Sequence, residues 1–365
     1  MKNIKKTTFF VFWLAFAFIG NCLVCSYELS QNLYKIEFEI DNPMRHLSDN
    51  VKIGDITQIL SHDSLCLSGK MKGRTKNSKF FSVATLANIT MTTNFFAACQ
   101  TLNLKDQLEL GVTCFDVRVA RPKNGKNDYL WKPHHNGITA NLDVLDELKS
   151  LCLYSKDHPD SVYMIKLRVE NNNFDQFLED FDEKIEKECS KDLSQFIFTP
   201  NDADYKDIVD LTLGDIRKIK KNVIIMVESK NNNVNTNLVF NGQMANGYKW
   251  SQTLKYSNKS LVNFVIKVLK NIRKNGNNKF MYASPAHTLG IGVLYGAAYL
   301  KPLNDAKNNS EEIVDLMTNK LFEEKIKLQA LGLNGIGMDE KLLHDIIDYS
   351  NTCIYAEYGV DGFKN

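Results

Sequence analysis

Short apolar runs alternate with amphipathic stretches along most of the chain from Asp55 onward. Runs of about four to eight apolar or alternating residues are typical of strands, and apolar positions three and four residues apart are typical of helices. One run, Val223–Val227, is apolar throughout, as expected for a parallel strand buried on both faces. The predicted strands are Ile53–Leu60, Val112–Val119, Val162–Val169, Val223–Val227, Phe280–Ala283 and Asn334–Met338.

The segments between these strands predict helices. The first, Leu104–Leu110, ends at Gly111, where a residue without a Cβ can take the left-handed turn. Because strands and helices alternate without a repeat or linker, we predict an α/β protein, a single irregular (β/α)8 TIM-type barrel over residues 26–365. The other predicted helices are Asn141–Tyr154, Phe174–Ile185, Leu261–Leu269, Ser310–Leu331 and Leu342–Tyr349.

The N-terminus has the pattern of a secretory signal peptide. Lys2, Lys5 and Lys6 precede an apolar run, Phe9–Ile19, which is followed by small or neutral residues. We therefore expect residues 1–25 to be a cleaved signal peptide and the protein to be extracellular. An uncleaved anchor is the alternative, but the run is short for a membrane span, and no later segment is long and apolar enough to be one.

Charge argues against one class of partner. Removing Lys2, Lys5 and Lys6 with the leader lowers the number of basic residues from 45 to 42, against 43 acidic residues. Because the two signs balance, we expect no nucleic-acid partner.

Six of the eight cysteines follow the leader. In an oxidising compartment some of them should pair, and a Cys66–Cys99 disulfide would close a long polar segment, although the sequence does not select among the possible connectivities. No close Cys or Cys/His spacing occurs, so we predict no metal site and no cofactor.

Several polar residues fall at the ends of predicted strands, where a parallel α/β barrel builds its active site. Two imidazoles and a guanidinium suit phosphoryl transfer, because one imidazole can take a proton from an attacking hydroxyl and the other can protonate the leaving oxygen. Arg118 would hold the phosphate oxygens at two points. The candidates are His62, Asp63, Asp116, Arg118, His134, His135 and Asp339, with Lys166 and Arg168 sharing one face of their strand.

These segments resemble the catalytic X domain of phosphatidylinositol-specific phospholipases C. The resemblance covers residues 50–170 best, and the motifs agree in order and spacing. They are Ser61-His62-Asp63-Ser64, Gln107–Gly111 with Phe115-Asp116-Val117-Arg118, His134-His135 and Gly337-Met338-Asp339. The resemblance implies a TIM barrel that cleaves phosphatidylinositol to diacylglycerol and inositol 1,2-cyclic phosphate. GPI anchors, which contain the same phosphodiester, are the other substrate that the resemblance suggests.

Roles follow from the resemblance residue by residue. It implies that His62 is the general base, oriented by Asp339, and that Arg118 stabilises the phosphate. His135, paired with Asp63, would be the general acid, with His134 as the alternative because Asn136 interrupts the motif. The implied substrate contacts are Lys166 or Arg168, Tyr256 as a ring that stacks on inositol, Asp116 and His134.

The resemblance also favours one branch of the family. Calcium-dependent members carry Asn after the first His and an acidic residue where this chain has Arg118, so Asp63 and Arg118 indicate the metal-independent, bacterial type. The expected partner is a phospholipid at a membrane surface, bound by a monomer. Two alternatives stay open: a barrel that binds a ligand without turnover, and a phosphodiesterase for another head group.

Overall fold

The computed structural model describes twelve segments of the chain. The leader, Tyr256 and Asp339 lie outside them, as does the predicted strand Asn334–Met338. The described residues are 42–67, 70–74, 99–121, 131–135, 138–170, 173–204, 207–227, 237–246, 258–275, 279–283, 302–333 and 340–364.

The described strands are β1 (Gln58–Ser61), β2 (Met71–Arg74), β3 (Cys114–Ala120), β4 (Lys132–His135), β5 (Ile138–Ala140), β6 (Tyr163–Val169), β7 (Val223–Val227), β8 (Phe240–Asn241), β9 (Met244–Asn246), β10 (Phe280–Ala283) and β11 (Ala330–Leu333). Eight of them are parallel and form a nearly closed barrel. β3 and β11 flank β1. From β3 the sheet continues through β6, β7 and β8, and from β11 it continues through β10 and β9. No ladder joins β8 to β9 within the described segments.

Seven α-helices are described around the barrel. The first begins at Asn103, whose side chain accepts a hydrogen bond from the Asp106 N–H, and is followed by Gly111 at a φ of 79°. None of the described helices is long and apolar enough to cross a bilayer. The helices are α1 (Leu104–Glu109), α2 (Val144–Asp157), α3 (Phe174–Cys189), α4 (Leu213–Ile219), α5 (Asn258–Lys274), α6 (Pro302–Glu323) and α7 (Glu340–Tyr358).

The barrel interior is filled with apolar side chains, so it is a core and not a channel. Every residue of β1, β7, β10 and β11 is buried. Side chains from neighbouring strands, including Leu60, Cys114, Met164 and Ile224, belong to one buried cluster. The charged side chains of β3 and β6 lie beyond this cluster, toward the carboxyl ends of the strands, which is where such barrels hold their sites.

The predicted α/β barrel is confirmed, but some predicted bounds are wrong. The first strand was predicted from Ile53, but Ile53–Asp55 is a 3-10 turn closed by its own backbone hydrogen bonds, and β1 begins only at Gln58. The helix predicted to run to Leu331 stops at Glu323, Lys325 takes a left-handed φ of 51°, and the chain returns as β11. The apolar run before Leu333 was assigned to the helix, but all four residues of β11 are buried because it lies between β1 and β10.

A small antiparallel sheet, which the sequence analysis did not predict, extends from β3. β4 folds back on β3, with Val119 opposite Pro133, and then pairs with β5, which pairs with β2. The sheet matters for the site because His134 and His135 are the last two residues of β4. The return of the chain brings them back toward the end of β1.

Candidate active site

The turn that follows β1 is fixed by its two neighbouring strands. The His62 N–H donates to the carbonyl of Leu333 at 3.1 Å, and the Ser64 N–H donates to the carbonyl of Asp116 at 3.0 Å. Between them Asp63 has a φ of 47°, a left-handed conformation that Asp tolerates better than most residues. The backbone that carries the His62 and Asp63 side chains is therefore held by both neighbouring strands.

Two buried glutamine side chains hold the same turn. The Gln100 amide donates to the carbonyls of His62 at 2.8 Å and Leu333 at 3.0 Å, and the Gln107 amide donates to the carbonyl of Ser64 at 3.0 Å. From the sequence, Gln107 was identified only as part of a motif, and Gln100 was not identified at all. No local pattern marks a glutamine that hydrogen-bonds a distant backbone.

β3 supplies a carboxylate and a guanidinium from positions two residues apart, which lie on one face of the strand. Arg118 Nη2 donates to Asp116 Oδ2 at 2.9 Å, and Lys166 Nζ lies 3.2 Å from Asp116 Oδ1. Burial raises the pKa of Asp116, but Lys166 and Arg118 lower it by more, so that pKa lies well below its usual range. Asp116, placed among the substrate contacts from sequence, is fully buried and is the shared counterion of two cations.

Arg118 also joins the two strand ends. Its Nε lies 2.5 Å from Asp63 Oδ1, and its Nη2 lies 3.2 Å from His62 Nε2. Because Nε and Nη2 are already engaged by carboxylates, the expected two-point grip on a phosphate is not available in this arrangement. Its side chain is 18% exposed, so a phosphate would meet it through Nη1 or by displacing one of these contacts.

Both candidate histidines meet at one carboxylate oxygen. His62 Nδ1 lies 3.8 Å and His135 Nε2 lies 3.6 Å from Asp63 Oδ2. Burial raises the pKa of Asp63, while His62, Arg118 and His135 lower it by more, so the carboxyl stays ionised. His62, His135 and Arg118 therefore all lie around the Asp63 carboxylate.

The two imidazoles have different neighbours. Arginine has no acceptor atom, so a hydrogen bond between Arg118 Nη2 and His62 Nε2, which lie 3.2 Å apart, needs a lone pair on that ring nitrogen. His135 instead faces Asp63 with Nε2 and the Cys99 Sγ, at 3.7 Å, with Nδ1. The two rings therefore have different hydrogen-bonding neighbours.

His134 lies beside this cluster in different surroundings. Neither of its ring nitrogens makes a hydrogen bond to the described residues, and burial lowers its pKa from 6.5 to about 4. Of the two adjacent histidines, His135 is the one within 4 Å of Asp63. This geometry favours His135 over His134 as the acid.

Lys166 and Arg168 occupy successive inward positions of β6, but only one of them is buried. Lys166 is 5% exposed and lies over the Tyr282 ring, with Nζ 4.2 Å from its centroid. Arg168, opposite Arg118 in the ladder, is exposed. Among the described residues Arg168 makes no ion pair, whereas Lys166 is paired with Asp116, so a ligand could reach Arg168 more readily.

Cys99 is a further site residue that the sequence analysis assigned elsewhere. The predicted Cys66–Cys99 disulfide is not formed, and both thiols are free. The Cys99 Sγ donates to Asp63 Oδ2 at 3.4 Å, while its N–H donates to the carbonyl of Cys66 at 2.8 Å. Burial, followed by the Asp63 charge, raises the pKa of Cys99, so it is a thiol in this site.

Sequence comparisons with known proteins gave no match, either to a family model or to a curated protein. The fold, in contrast, is similar to those of solved bacterial enzymes. The phosphatidylinositol-specific phospholipase C of Listeria monocytogenes aligns with a TM-score of 0.56 at 17% identity, over 86% of this chain and 99% of that one.

Two structures of the Staphylococcus aureus enzyme give the same result. One, from work on its membrane binding, aligns with a TM-score of 0.55 at 16% identity over 86% and 99% of the two chains. The F249X mutant aligns with a TM-score of 0.54 at 15% identity over 85% and 98%. The chain therefore has the fold of the bacterial phosphatidylinositol-specific phospholipases C along nearly their whole length.

Proposed function

We propose that this chain is a secreted phosphodiesterase that cleaves phosphatidylinositol by attack of the inositol 2-hydroxyl on the phosphorus. The observation that carries the proposal is the contrast between the two histidines. They share Asp63 Oδ2, but His62 Nε2 lies 3.2 Å from the Arg118 guanidinium, whereas His135 Nδ1 lies 3.7 Å from the Cys99 thiol. We infer that His62 accepts a proton and that His135 donates one.

The first step uses His62 as general base. Its Nε2 lone pair takes the proton of the 2-hydroxyl as the hydroxyl oxygen bonds to phosphorus, and Asp63, 3.8 Å from Nδ1, offsets the charge that the ring gains. His62 is 22% exposed on its side chain, so a substrate can reach it. A hydroxyl that accepts the Arg118 N–H and donates to Nε2 would replace the direct contact between them.

His135 completes the reaction as general acid. The bond from phosphorus to the diacylglycerol oxygen breaks, and that oxygen takes the imidazolium proton, leaving inositol 1,2-cyclic phosphate. Arg118 offsets the charge that grows on the phosphate oxygens, an effect worth more in a partly buried site than in water. Proton transfer by one positioned side chain contributes about 10²–10⁴ in rate.

The geometry also supports catalysis without Ca²⁺. A calcium site needs about six to eight oxygen ligands, often several carboxylates. Here the two buried carboxylates, Asp63 and Asp116, are already paired with Arg118 and Lys166. The guanidinium supplies the positive charge at the position where a hard cation would be needed.

A lipid head-group panel tests the proposal. The purified protein is incubated in EDTA with vesicles containing phosphatidylinositol, phosphatidylcholine or phosphatidylserine, and diacylglycerol is measured by mass spectrometry. We expect release from phosphatidylinositol alone. The rate of the His62→Ala variant should be lower by a factor of about 10²–10⁴. The control variant His344→Ala, at an exposed position on α7, should keep the wild-type rate.

Two results would reject the proposal. Release from phosphatidylcholine or phosphatidylserine at the same rate would assign another head group. Absence of release from phosphatidylinositol, with protein that is folded by circular dichroism, would leave the barrel as a binding protein.

A further inference from the structure

The base side of the site contains a set of metal-ligating atoms that phosphoryl transfer does not require together. One ligand atom each of His62, Asp63 and Cys99 can be chosen so that all three lie within 4.8 Å of one another. Cys99 Sγ is 3.4 Å from Asp63 Oδ2, and His62 Nδ1 is 3.8 Å from the same oxygen. They come from the turn after β1 and from the segment that precedes α1.

The two separations at Asp63 Oδ2, 3.4 Å and 3.8 Å, are close to those of a tetrahedral metal centre. Zinc bonds of about 2.3 Å to sulfur and about 2.0–2.1 Å to nitrogen or oxygen put neighbouring ligand atoms about 3.3–3.6 Å apart. The ligand atoms of His62 and Cys99 lie within 4.8 Å of each other, so these two side chains would move together by about an ångström on binding. Three protein ligands of this type with an open fourth position are the pattern of an accessible zinc site, not of a hard-cation site.

The neighbouring carboxylates offer the ion a second contact. A metal on His62 Nδ1 puts the ring proton on Nε2, which lies 3.9 Å from Asp116 Oδ2. A carboxylate behind a metal-bound histidine is a common second neighbour of zinc. Because Arg118 Nη2 lies 3.2 Å from the same nitrogen and can only donate, the Arg118 end group has to turn away from His62 when the ion binds. Arg118 Nε contacts Oδ1 of Asp63, at 2.5 Å, and leaves Oδ2, which faces Cys99, as the oxygen that binds the ion. Release of the Cys99 proton leaves a net gain of one positive charge.

We propose that His62, Asp63 and Cys99 form a site for a thiophilic divalent cation such as Zn²⁺, with Cys99 bound as thiolate. The ion would occupy Nδ1 of His62 and Oδ2 of Asp63. A consequence, which rests on the proposed function, is that bound metal and substrate turnover exclude each other. Catalysis then needs no metal, yet is inhibited by one.

Cobalt spectroscopy tests the site without any assay of activity. Reduced protein is titrated with Co²⁺ in the absence of oxygen. We expect a thiolate-to-cobalt charge-transfer band and the intense visible bands of a tetrahedral centre, both removed by added Zn²⁺. Cys99→Ser should lose the charge-transfer band, whereas Cys66→Ser, a change at a buried neighbouring thiol, should keep it.

A second measurement avoids substitutions altogether. Zn²⁺ should slow alkylation of Cys99 in the wild-type protein, read by peptide mass mapping, while the half-buried Cys189 is alkylated at an unchanged rate. The proposal is overturned if no thiolate band forms, if the band survives in Cys99→Ser, or if Zn²⁺ leaves alkylation of Cys99 unchanged. None of these results bears on lipid cleavage, so the two proposals fail separately.

Discussion

Asp63 is the residue on which the site depends most. Its Oδ1 contacts the Arg118 guanidinium, and its Oδ2 lies within 4 Å of His62, His135 and Cys99. A carboxylate after the first histidine was expected to support the acid only. The structure gives it contacts to both histidines, at 3.8 Å from His62 Nδ1 and 3.6 Å from His135 Nε2.

At the residue scale, positions close together in the sequence were the easiest to place. His62-Asp63 directly follows β1, and Asp116 and Arg118 lie two residues apart within β3, where strand alternation puts them on one face. Cys99 was not recognised, because its contact to Asp63 spans 36 residues and no periodic pattern connects them. Gln100 was missed for the same reason.

His134 makes stability depend on pH. Burial lowers its pKa from 6.5 to about 4, so between these values the unfolded chain binds a proton that the folded chain does not. The free energy of unfolding should therefore fall as pH falls from 6.5 to 4. The total loss would be up to about 3 kcal/mol, from about 1.4 kcal/mol per pKa unit.

The check is urea unfolding of wild type and His134→Asn across this pH range. The variant, which cannot titrate there, should have the flatter profile, and at pH 8 the two profiles should run parallel. Equal slopes between pH 6.5 and 4 would mean that His134 binds its proton as readily in the folded state.

At the scale of elements, the register of β3 against β6 determines which charges meet. Asp116 lies opposite Lys166, and Arg118 lies opposite Arg168. A shift of one residue would turn every one of these side chains to the other face. The strands themselves were predictable from their apolar runs, but their register depends on packing inside the barrel.

Lys166→Met tests this register through stability. The change leaves one oxygen of the buried Asp116 without its cation, which should cost about 3 kcal/mol of the free energy of unfolding, at the lower end for a broken buried pair because Arg118 remains. Denaturant unfolding measures it.

Arg168→Met on the same strand is the matched control and should change stability by less than about 0.5 kcal/mol, because Arg168 is exposed. Adding Asp116→Asn to Lys166→Met should recover most of the loss. Equal costs for the two single variants would contradict the assigned ion pair.

The strands whose bounds were predicted correctly are those that are buried along their whole length. Val223–Val227 and Phe280–Ala283 have the predicted bounds, because strands buried on both faces are apolar throughout. β4 carries Lys132 and two histidines and lies in an antiparallel extension of the barrel, so its sequence lacks that signal. The strand that carries His134 and His135 could therefore not be identified from its sequence pattern.

For the molecule as a whole, the barrel explains why distant segments share one site. The turn after β1, the end of β3 and the returning strand β4 meet at the carboxyl ends of the parallel strands, the position at which such barrels carry chemistry. Bacterial enzymes with the same fold align at 14–17% identity. Fold alone does not establish activity, so the central claim is chemical.

Phosphorus NMR of the reaction is the most direct test of that claim. Wild-type protein is mixed with phosphatidylinositol vesicles in EDTA, and the phosphorus signals are followed with time. Intramolecular attack predicts that the five-membered cyclic inositol phosphate appears first, that any acyclic phosphate follows later, and that His62→Ala forms neither. An acyclic inositol phosphate as the first product, or a cyclic product formed equally fast by His62→Ala, would contradict the account.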